Sequence, residues 1–122
     1  MGEIYHKVVL KGIRGTARIS ALLDSGSTFN YIREDLTTGV NVYNDIGIVE
    51  FKGPTTAVVG NGEDLTGDAV RFKQAYLLNF AEFYPVFVVS SKLPDDMIIG
   101  YLAMQEMRIK LDFDDDRVVP TL

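Results

Sequence analysis

The most informative part of the 122-residue chain is residues 21–28, which read Ala-Leu-Leu-Asp-Ser-Gly-Ser-Thr. An apolar strand pattern runs directly into Asp24, followed by the hydroxyl residue Ser25, Gly26 and the second hydroxyl residue Ser27. A carboxylate at the end of a buried strand is unfavourable unless hydrogen bonds satisfy it, and a glycine permits the tight backbone that aims amides at it. The same residues also suit an ordinary turn between two strands, because Asp, Ser and Gly are common in turns.

Short β-forming blocks lie on both sides of this stretch. Residues 4–10 and 13–23 are separated by Lys11 and Gly12, a pattern that predicts a β-hairpin. Further β-rich blocks cover residues 28–32, 46–52, 54–59, 69–78, 83–90, 108–113 and 117–119. The sequence therefore predicts strands along nearly the whole chain.

One segment departs from the strand pattern. Residues 101–107 follow directly on Gly100 and are rich in good helix formers, so they predict the main helix. Many short strands with one short helix near the C-terminus are typical of a small barrel. We therefore expect an all-β fold, a small closed β barrel with one short C-terminal helix.

Length and composition predict one domain, residues 1–122. Hydrophobic residues make up 47% and charged residues 24% of the chain, the balance of a globular domain that buries about two-thirds of its unfolded surface. No composition shift marks a boundary, and no internal repeat is visible. A site that needs two lobes would have to take one from another chain. Five aromatic residues of the strand blocks fit either the core or the wall of a substrate pocket, and core is the assignment made for each: Tyr31, Tyr76, Phe83, Tyr84 and Phe87.

Charge and residue types exclude several classes of function. A net charge of −5 with scattered basic residues disfavours nucleic acid as a partner. With no cysteine and His6 as the single histidine, disulfides, thiolate catalysis and Cys-based or His-rich metal centres are excluded. We expect no metal and no cofactor, and a structural role for His6. The acidic run at residues 112–116 lacks the ligand spacing of a calcium loop and predicts a solvated hairpin turn.

The sequence shows no segment that would place the chain in a membrane. Its longest apolar runs are about four residues, as at residues 86–89, against roughly 18 needed to span a bilayer. Residues 1–3 lead straight into a strand pattern, without the features of a signal peptide. We therefore expect a cytoplasmic protein with no membrane partner.

Two further segments are candidates for a functional site. The apolar residues 97–99 end at Gly100, an order that lets one chain segment pass closely against another. Residues 58–68 form a glycine-dense segment between two β-rich blocks, which indicates a hairpin tip. Gly67 is a candidate hinge or tip position there. An ordinary long hairpin loop is the alternative interpretation.

In this order, the three elements resemble the retropepsin-like aspartic proteases, the family of the retroviral proteases and their cellular and microbial relatives. The sequence at residues 22–27 matches the catalytic motif, and Ile98, Ile99 and Gly100 match the later apolar-apolar-glycine motif, which packs against it. The resemblance covers almost the whole chain and implies the acid-protease type of barrel, with Asp24 as the catalytic aspartate. It also implies a substrate flap, whose residues here are Gly60, Asn61 and Gly62.

The resemblance assigns roles to the two serines of the motif. In the family, the residue matching Ser25 makes a hydroxyl hydrogen bond across the dimer to the partner's active-site loop, and the residue matching Ser27 hydrogen-bonds near the outer carboxylate oxygen. The chain departs from the retroviral pattern at two positions. Retroviral enzymes often carry an acidic and a basic or polar residue where this chain has Thr28 and Tyr101. This departure argues against a close retroviral relative.

A site of this kind needs two carboxylates that share a proton, one acting as base toward a water and the other as acid toward the peptide carbonyl. Like charges about 3 Å apart cannot both ionise, a behaviour for which the aspartic-protease pair is itself the standard example. The chain contains one copy of the motif, so the resemblance implies a homodimer in which two Asp24 side chains meet at a twofold axis. We predict a homodimeric aspartic endopeptidase that binds an extended peptide or protein substrate.

Two alternatives remain open at this point. The chain could be a catalytically inactive retropepsin-like domain that acts as a dimerisation or peptide-binding module, with Asp24 as a buried turn residue. It could also be an unrelated small barrel that binds a ligand or single-stranded nucleic acid. The net charge of −5 and the lack of interleaved basic and aromatic residues count against the nucleic-acid version.

Overall fold

A computed structural model of the chain describes residues 2–58 and 64–121, with side chains described for residues 2–56 and 65–121. The predicted flap residues Gly60, Asn61 and Gly62 lie outside the described residues. The fold is mostly β with one short α-helix, as predicted. None of the described helices is long and apolar enough to cross a lipid bilayer.

The described part of the chain contains eleven β-strands and one α-helix. In chain order these elements are β1 (Tyr5–Lys11), β2 (Thr16–Leu23), β3 (Tyr31–Arg33), β4 (Glu50–Val58), β5 (Asp64–Arg71), β6 (Gln74–Leu77), β7 (Glu82–Phe83), β8 (Val86–Ser90), β9 (Met97–Ile99), α1 (Tyr101–Met107), β10 (Ile109–Asp112) and β11 (Arg117–Pro120). The predicted helix at residues 101–107 is confirmed, and Arg108 ends it in the left-handed conformation with φ 56°.

Nine strands form one sheet in the order β4-β5-β8-β3-β9-β2-β1-β6-β7, and β10 pairs with β11 separately. The prediction of a closed barrel is wrong: the sheet curls, but its edge strands β4 and β7 do not pair with each other among the described residues. Closure requires a continuous hydrogen-bonded seam between the edge strands. Strand β7 has only two residues and already pairs with β6, so it offers almost no seam.

The predicted hairpin at the N-terminus is confirmed by the antiparallel pair β1 and β2, whose register runs from Tyr5 opposite Leu22 to Lys11 opposite Thr16. The connection is longer than predicted and spans residues 12–15. At Gly12, a β-carbon would lie 2.1 Å from the carbonyl oxygen of Ile46, so only glycine fits this close approach.

The segment before β4 differs from the prediction. The predicted strand block at residues 46–52 begins as a strand only at Glu50, because residues Val42–Ile46 form a π-helical turn. The side chain of Asn41 caps this turn by accepting hydrogen bonds from the backbone amides of Tyr43 and Asn44.

Two longer predicted blocks are each divided in the structure. The block at residues 69–78 supplies the end of β5 and all of β6, with a break at residues 72–73. The block at residues 83–90 divides at Pro85 into β7 and β8, since proline has no amide hydrogen to donate to a ladder. The predicted pair of strands at residues 108–119 is confirmed as the β10–β11 hairpin.

Apolar side chains pack on both faces of the curled sheet. The main core contains Phe72, Phe83 and Phe87, which stack edge to face. A smaller second cluster consists of Tyr31, Leu65, Val88, Leu93 and Ile98, with Leu22 packed against it. Because side chains alternate along a strand, members of the two clusters on one strand point to opposite faces.

The aromatic residues expected in the core divide into three groups. Tyr31, Phe83 and Phe87 are buried, and Tyr76 is half-buried. Tyr84 is 57% exposed, so its assignment to the core is wrong. It precedes Pro85 and lies outside any strand.

Candidate active site

Asp24 is positioned by the centre of the sheet. Strand β2 runs parallel to β9, with Leu23 opposite Ile99, and the amide of Asp24 continues this ladder by donating to the carbonyl of Ile99 at 2.9 Å. On the other side, the amide of Leu23 donates to the carbonyl of Ile4 at 2.9 Å. The backbone that carries the candidate catalytic aspartate is therefore fixed by neighbours on both sides.

The carboxylate of Asp24 is held by its own turn. The amide of Gly26 donates to Oδ1 at 2.9 Å, and the hydroxyl of Ser27 donates to Oδ2 at 3.1 Å. The amide of Ser27 also donates to the backbone carbonyl of Asp24 at 3.1 Å. These contacts fix the side-chain orientation while the carboxylate stays only half-buried.

The two serines of the motif lie in different environments. Ser27 is fully buried beneath Asp24, whereas Ser25 and Gly26 are exposed. The contact from Ser27 to an oxygen of Asp24 is the one that the family resemblance implies for this position. The role implied for Ser25, a hydrogen bond across a dimer, stays a prediction.

The later motif packs directly beneath this turn. A β-carbon at Gly100 would lie 2.4 Å from the carbonyl oxygen of Phe29 and 2.6 Å from that of Ser27. Immediately after it, the amide of Tyr101 donates to the carbonyl of Ser27 at 2.8 Å, where helix α1 begins. The structure thus brings the two sequence motifs together, with Ile98 and Ile99 buried in β9.

Asn30 is a site residue that the sequence reasoning missed. Its side-chain oxygen accepts a buried hydrogen bond from the amide of Gly100 at 3.0 Å, and its side-chain amide donates to the carbonyl of Val86 at 3.5 Å. Asn30 therefore ties the end of the Asp24 turn to the glycine of the later motif. The available signal was a lone carboxamide within the β-rich block at residues 28–32, since such a residue needs partners when it is buried.

An open apolar groove of about 360 Å³ lies beside the turn. Thr28 and Phe29 form one wall, and Thr55 of β4 contributes to the hairpin side. Tyr84 and Glu106 lie on the remaining side, where the amide of Tyr84 donates to both carboxylate oxygens of Glu106 at 3.0 and 3.1 Å. The groove therefore offers apolar and aromatic surface within reach of an extended chain that passes the Asp24 turn.

A smaller depression of about 200 Å³ lies on the other flank of the turn. Asp24 and Ser25 line it together with Ile4 and with Phe113 from the β10–β11 hairpin. Phe113 is 40% exposed, so this flank presents apolar surface next to the carboxylate.

His6 and the acidic run lie away from this site. The Nε2 of His6 donates to the carbonyl of Leu78 at 2.7 Å, and its ring packs edge to face on Phe80. In the acidic run, Asp112 accepts from the amide of Asp114 and lies beside Arg117, an arrangement typical of a hairpin turn. Within the described ranges, no group of three or more His, Asp or Glu side chains could hold a metal ion.

A scan against protein families finds none that matches the chain, and a search of curated proteins finds no significant match.

Proposed function

We propose that the chain is one subunit of a homodimeric aspartic endopeptidase of the retropepsin-like type. The observation that carries the proposal is the state of the Asp24 carboxylate. Both of its oxygens are oriented by groups of its own turn, Gly26 and Ser27, while an exposed flank remains beside Ser25. A carboxylate that is oriented and still accessible can exchange a proton with water.

In the proposed dimer, two such carboxylates face each other across a twofold axis and share one proton. The ionised Asp24 takes a proton from a water, whose oxygen attacks the carbonyl carbon of the scissile peptide bond. The protonated Asp24 of the other subunit gives its proton to the carbonyl oxygen. The resulting gem-diol intermediate then collapses: the C–N bond breaks, the nitrogen leaves with the proton that the first carboxylate took from water, and one gem-diol hydroxyl returns its proton to the second carboxylate.

The surroundings of the turn support a peptide substrate. The groove beside Thr28 and Phe29 is open and largely apolar, and the β4–β5 hairpin borders it. An extended peptide that lies there can bury an apolar side chain while its backbone bonds to strand-like partners. We therefore propose a peptide or protein substrate with apolar residues near the scissile bond.

One observation favours a second candidate, an inactive peptide-binding or dimerisation module. The hydrogen bonds from Gly26 and Ser27 to Asp24 are also those of an ordinary turn stabilised by an aspartate side chain. In that case the aspartate would stabilise the loop without taking part in chemistry.

The two candidates are separated by peptide cleavage across about pH 3–7, the range in which a shared-proton pair of carboxylates operates. A diverse peptide library is incubated with the wild type, Asp24→Asn and the control Asp114→Asn, which changes an exposed aspartate of the hairpin turn. We expect Asp24→Asn to lose on the order of 10³-fold or more of the activity, and Asp114→Asn to keep it. Unchanged cleavage by Asp24→Asn would overturn the proposal of an aspartic endopeptidase. A folded dimer without any hydrolysis would favour the inactive binding or dimerisation module.

A further inference from the structure

The hydroxyl of Tyr31 is the one buried side-chain polar atom of the described residues that lacks a hydrogen-bond partner. The residue is fully buried, on strand β3. Buried hydroxyl groups are almost always hydrogen-bonded, so an unpaired one requires an explanation. Phenylalanine would fill the same space without this penalty.

Tyr31 lies on the same face of the sheet as Leu22, which precedes the candidate catalytic residue by two positions. It pairs with Ile98 of β9 and with Val88 of β8, and Ile98 pairs with Leu22 of β2. These residues form a row across four adjacent strands. Leu22 lies two residues before Asp24, near the end of strand β2. The second cluster is therefore an apolar floor that continues from the Asp24 turn.

Leu65 covers this floor from the distal half of the β4–β5 hairpin. Strand β5 pairs with β8 only from Asp68 to Arg71, while residues 64–67 pair with β4 alone. Gly67 marks the division, because a β-carbon there would lie 2.2 Å from the carbonyl oxygen of Val89. The described residues of the hairpin that carry Leu65 are therefore held by β4 alone and lie outside the β5–β8 ladder.

We propose that the second cluster is a side-chain subsite of the substrate cleft, that Leu65 fills it in the free protein, and that Tyr31 is its specificity-determining residue. When a peptide displaces Leu65, the Tyr31 hydroxyl donates a hydrogen bond to a short polar side chain of the substrate, a threonine, serine or asparagine. This inference rests on the proposed function for the identity of the cleft, but the chemistry of the subsite does not depend on catalysis.

The walls of the subsite favour a side chain with both apolar and polar parts. Leu22, Val88, Leu93 and Ile98 surround the phenol with aliphatic groups, so a charged side chain would lose its hydration there without compensation. Burial also raises the pKa of Tyr31 above its ordinary value, which keeps the hydroxyl protonated and able to donate. A threonine offers a methyl group to the walls and an oxygen to the hydroxyl, whereas the isosteric valine leaves the hydroxyl unpaired.

The test uses peptide binding, so that it does not depend on turnover. Asp24→Asn, which keeps bound peptides intact, is compared with the double variant Asp24→Asn/Tyr31→Phe on peptide pairs that differ only by threonine or valine at each successive position. We expect one position at which the threonine peptide binds about fivefold more tightly than its valine partner, the effect of one neutral hydrogen bond. With Tyr31→Phe, this preference should disappear while the valine peptide keeps its affinity.

Controls and outcomes separate this inference from the proposed function. Tyr84→Phe removes the hydroxyl of an exposed tyrosine in the neighbouring groove and should leave the threonine preference intact. Tyr31→Phe should fold with equal or greater stability, since it removes an unpaired buried hydroxyl. A threonine preference that is absent, or unchanged in Tyr31→Phe, would overturn the inference, as would failure of Asp24→Asn to bind any peptide. If the threonine preference depends on Tyr31 but the wild type cleaves no peptide, the proposed endopeptidase activity would be overturned and the proposed subsite would stand.

Discussion

Gly100 lies so close to Phe29 that a β-carbon at position 100 would be 2.4 Å from the Phe29 carbonyl oxygen. The backbone that follows the Asp24 turn and the glycine before helix α1 therefore touch without room for any side chain. The carbonyl of Ser27 also accepts a hydrogen bond from the amide of Tyr101 in this region, so the position of the Asp24 turn depends on this packing. The glycine of the later motif lets the two backbone segments pack in direct contact, because it has no side chain.

Gly100→Ala is expected to lower the free energy of unfolding by about 3 kcal/mol, because two carbonyl oxygens would have to move to admit the methyl group. Urea denaturation of both proteins measures the difference. Gly2→Ala is the control, since a β-carbon there meets only the Asp116 side chain at 3.4 Å, and it should change stability by less than about 0.5 kcal/mol. Equal stability of Gly100→Ala and the wild type would contradict the packing described for the turn.

Ser27→Ala should lower the stability of the fold, whereas Ser25→Ala should weaken dimerisation. Ser27 is buried and bonds the Asp24 carboxylate, so its replacement should lower the free energy of unfolding by about 1 kcal/mol and slow peptide cleavage by about tenfold through a misplaced carboxylate. Ser25 is exposed, so Ser25→Ala should leave the stability of the monomer unchanged but weaken dimerisation. Chemical denaturation and sedimentation analysis measure the two effects. If Ser25→Ala destabilised the monomer as much as Ser27→Ala, the assigned roles would be wrong.

Asn30→Ala should destabilise the fold by about 2 kcal/mol, because the buried amide of Gly100 would lose its acceptor. It should also reduce cleavage, since Asn30 joins the two halves of the candidate site. Thermal and urea unfolding give the stability change. The exposed side chain of Asn44 provides the matched control, and Asn44→Ala should have little effect. If Asn30→Ala were as stable as the wild type, another group would have to accept the hydrogen bond from the amide of Gly100.

The contact between Tyr5 and Asp95 predicts a dependence of stability on alkaline pH. The hydroxyl of Tyr5 donates to Oδ1 of Asp95 at 2.8 Å, and this hydrogen bond, with burial and the charge of Asp95, raises the pKa of Tyr5 from 10.0 to about 12. A raised pKa stabilises the folded protein below pH 10, and this contribution is lost as the pH rises from 10 to 12.

Tyr5→Phe should therefore be less stable than the wild type at about pH 8, and the difference should shrink at about pH 11. Urea denaturation at both pH values measures it, with Tyr84→Phe as the control for removing an exposed hydroxyl. A difference between the wild type and Tyr5→Phe that stays constant over this range would contradict the assigned hydrogen bond.

Local patterns in the sequence were sufficient for the β1–β2 hairpin, the β10–β11 hairpin and helix α1. Each of these elements depends on neighbours in the chain, such as the alternation along residues 16–23 or the helix formers after Gly100. The proximity of the Asp24 and Gly100 motifs was also predictable, because a glycine between an apolar strand and a helix indicates a close backbone approach.

The remaining features depend on contacts between distant parts of the chain. The seam that would close the barrel is absent among the described residues because β7 is two residues long, which the continuous β-rich block at residues 83–90 did not indicate. Asn30 became recognisable as a site residue only when its partner Gly100, distant in sequence, was located. Tyr84 resembles a strand residue in sequence, but the break at Pro85 leaves it on the surface.

The central claim is that two Asp24 side chains from two copies of the chain form one catalytic site. Mixing wild type with Asp24→Asn at fixed total protein, after exchange of subunits, tests this claim most directly. If only dimers with two intact aspartates cleave peptide, an equal mixture should retain about one quarter of the wild-type activity. An activity of about one half, in proportion to the wild-type chains present, would show that each chain acts alone and would contradict the shared site.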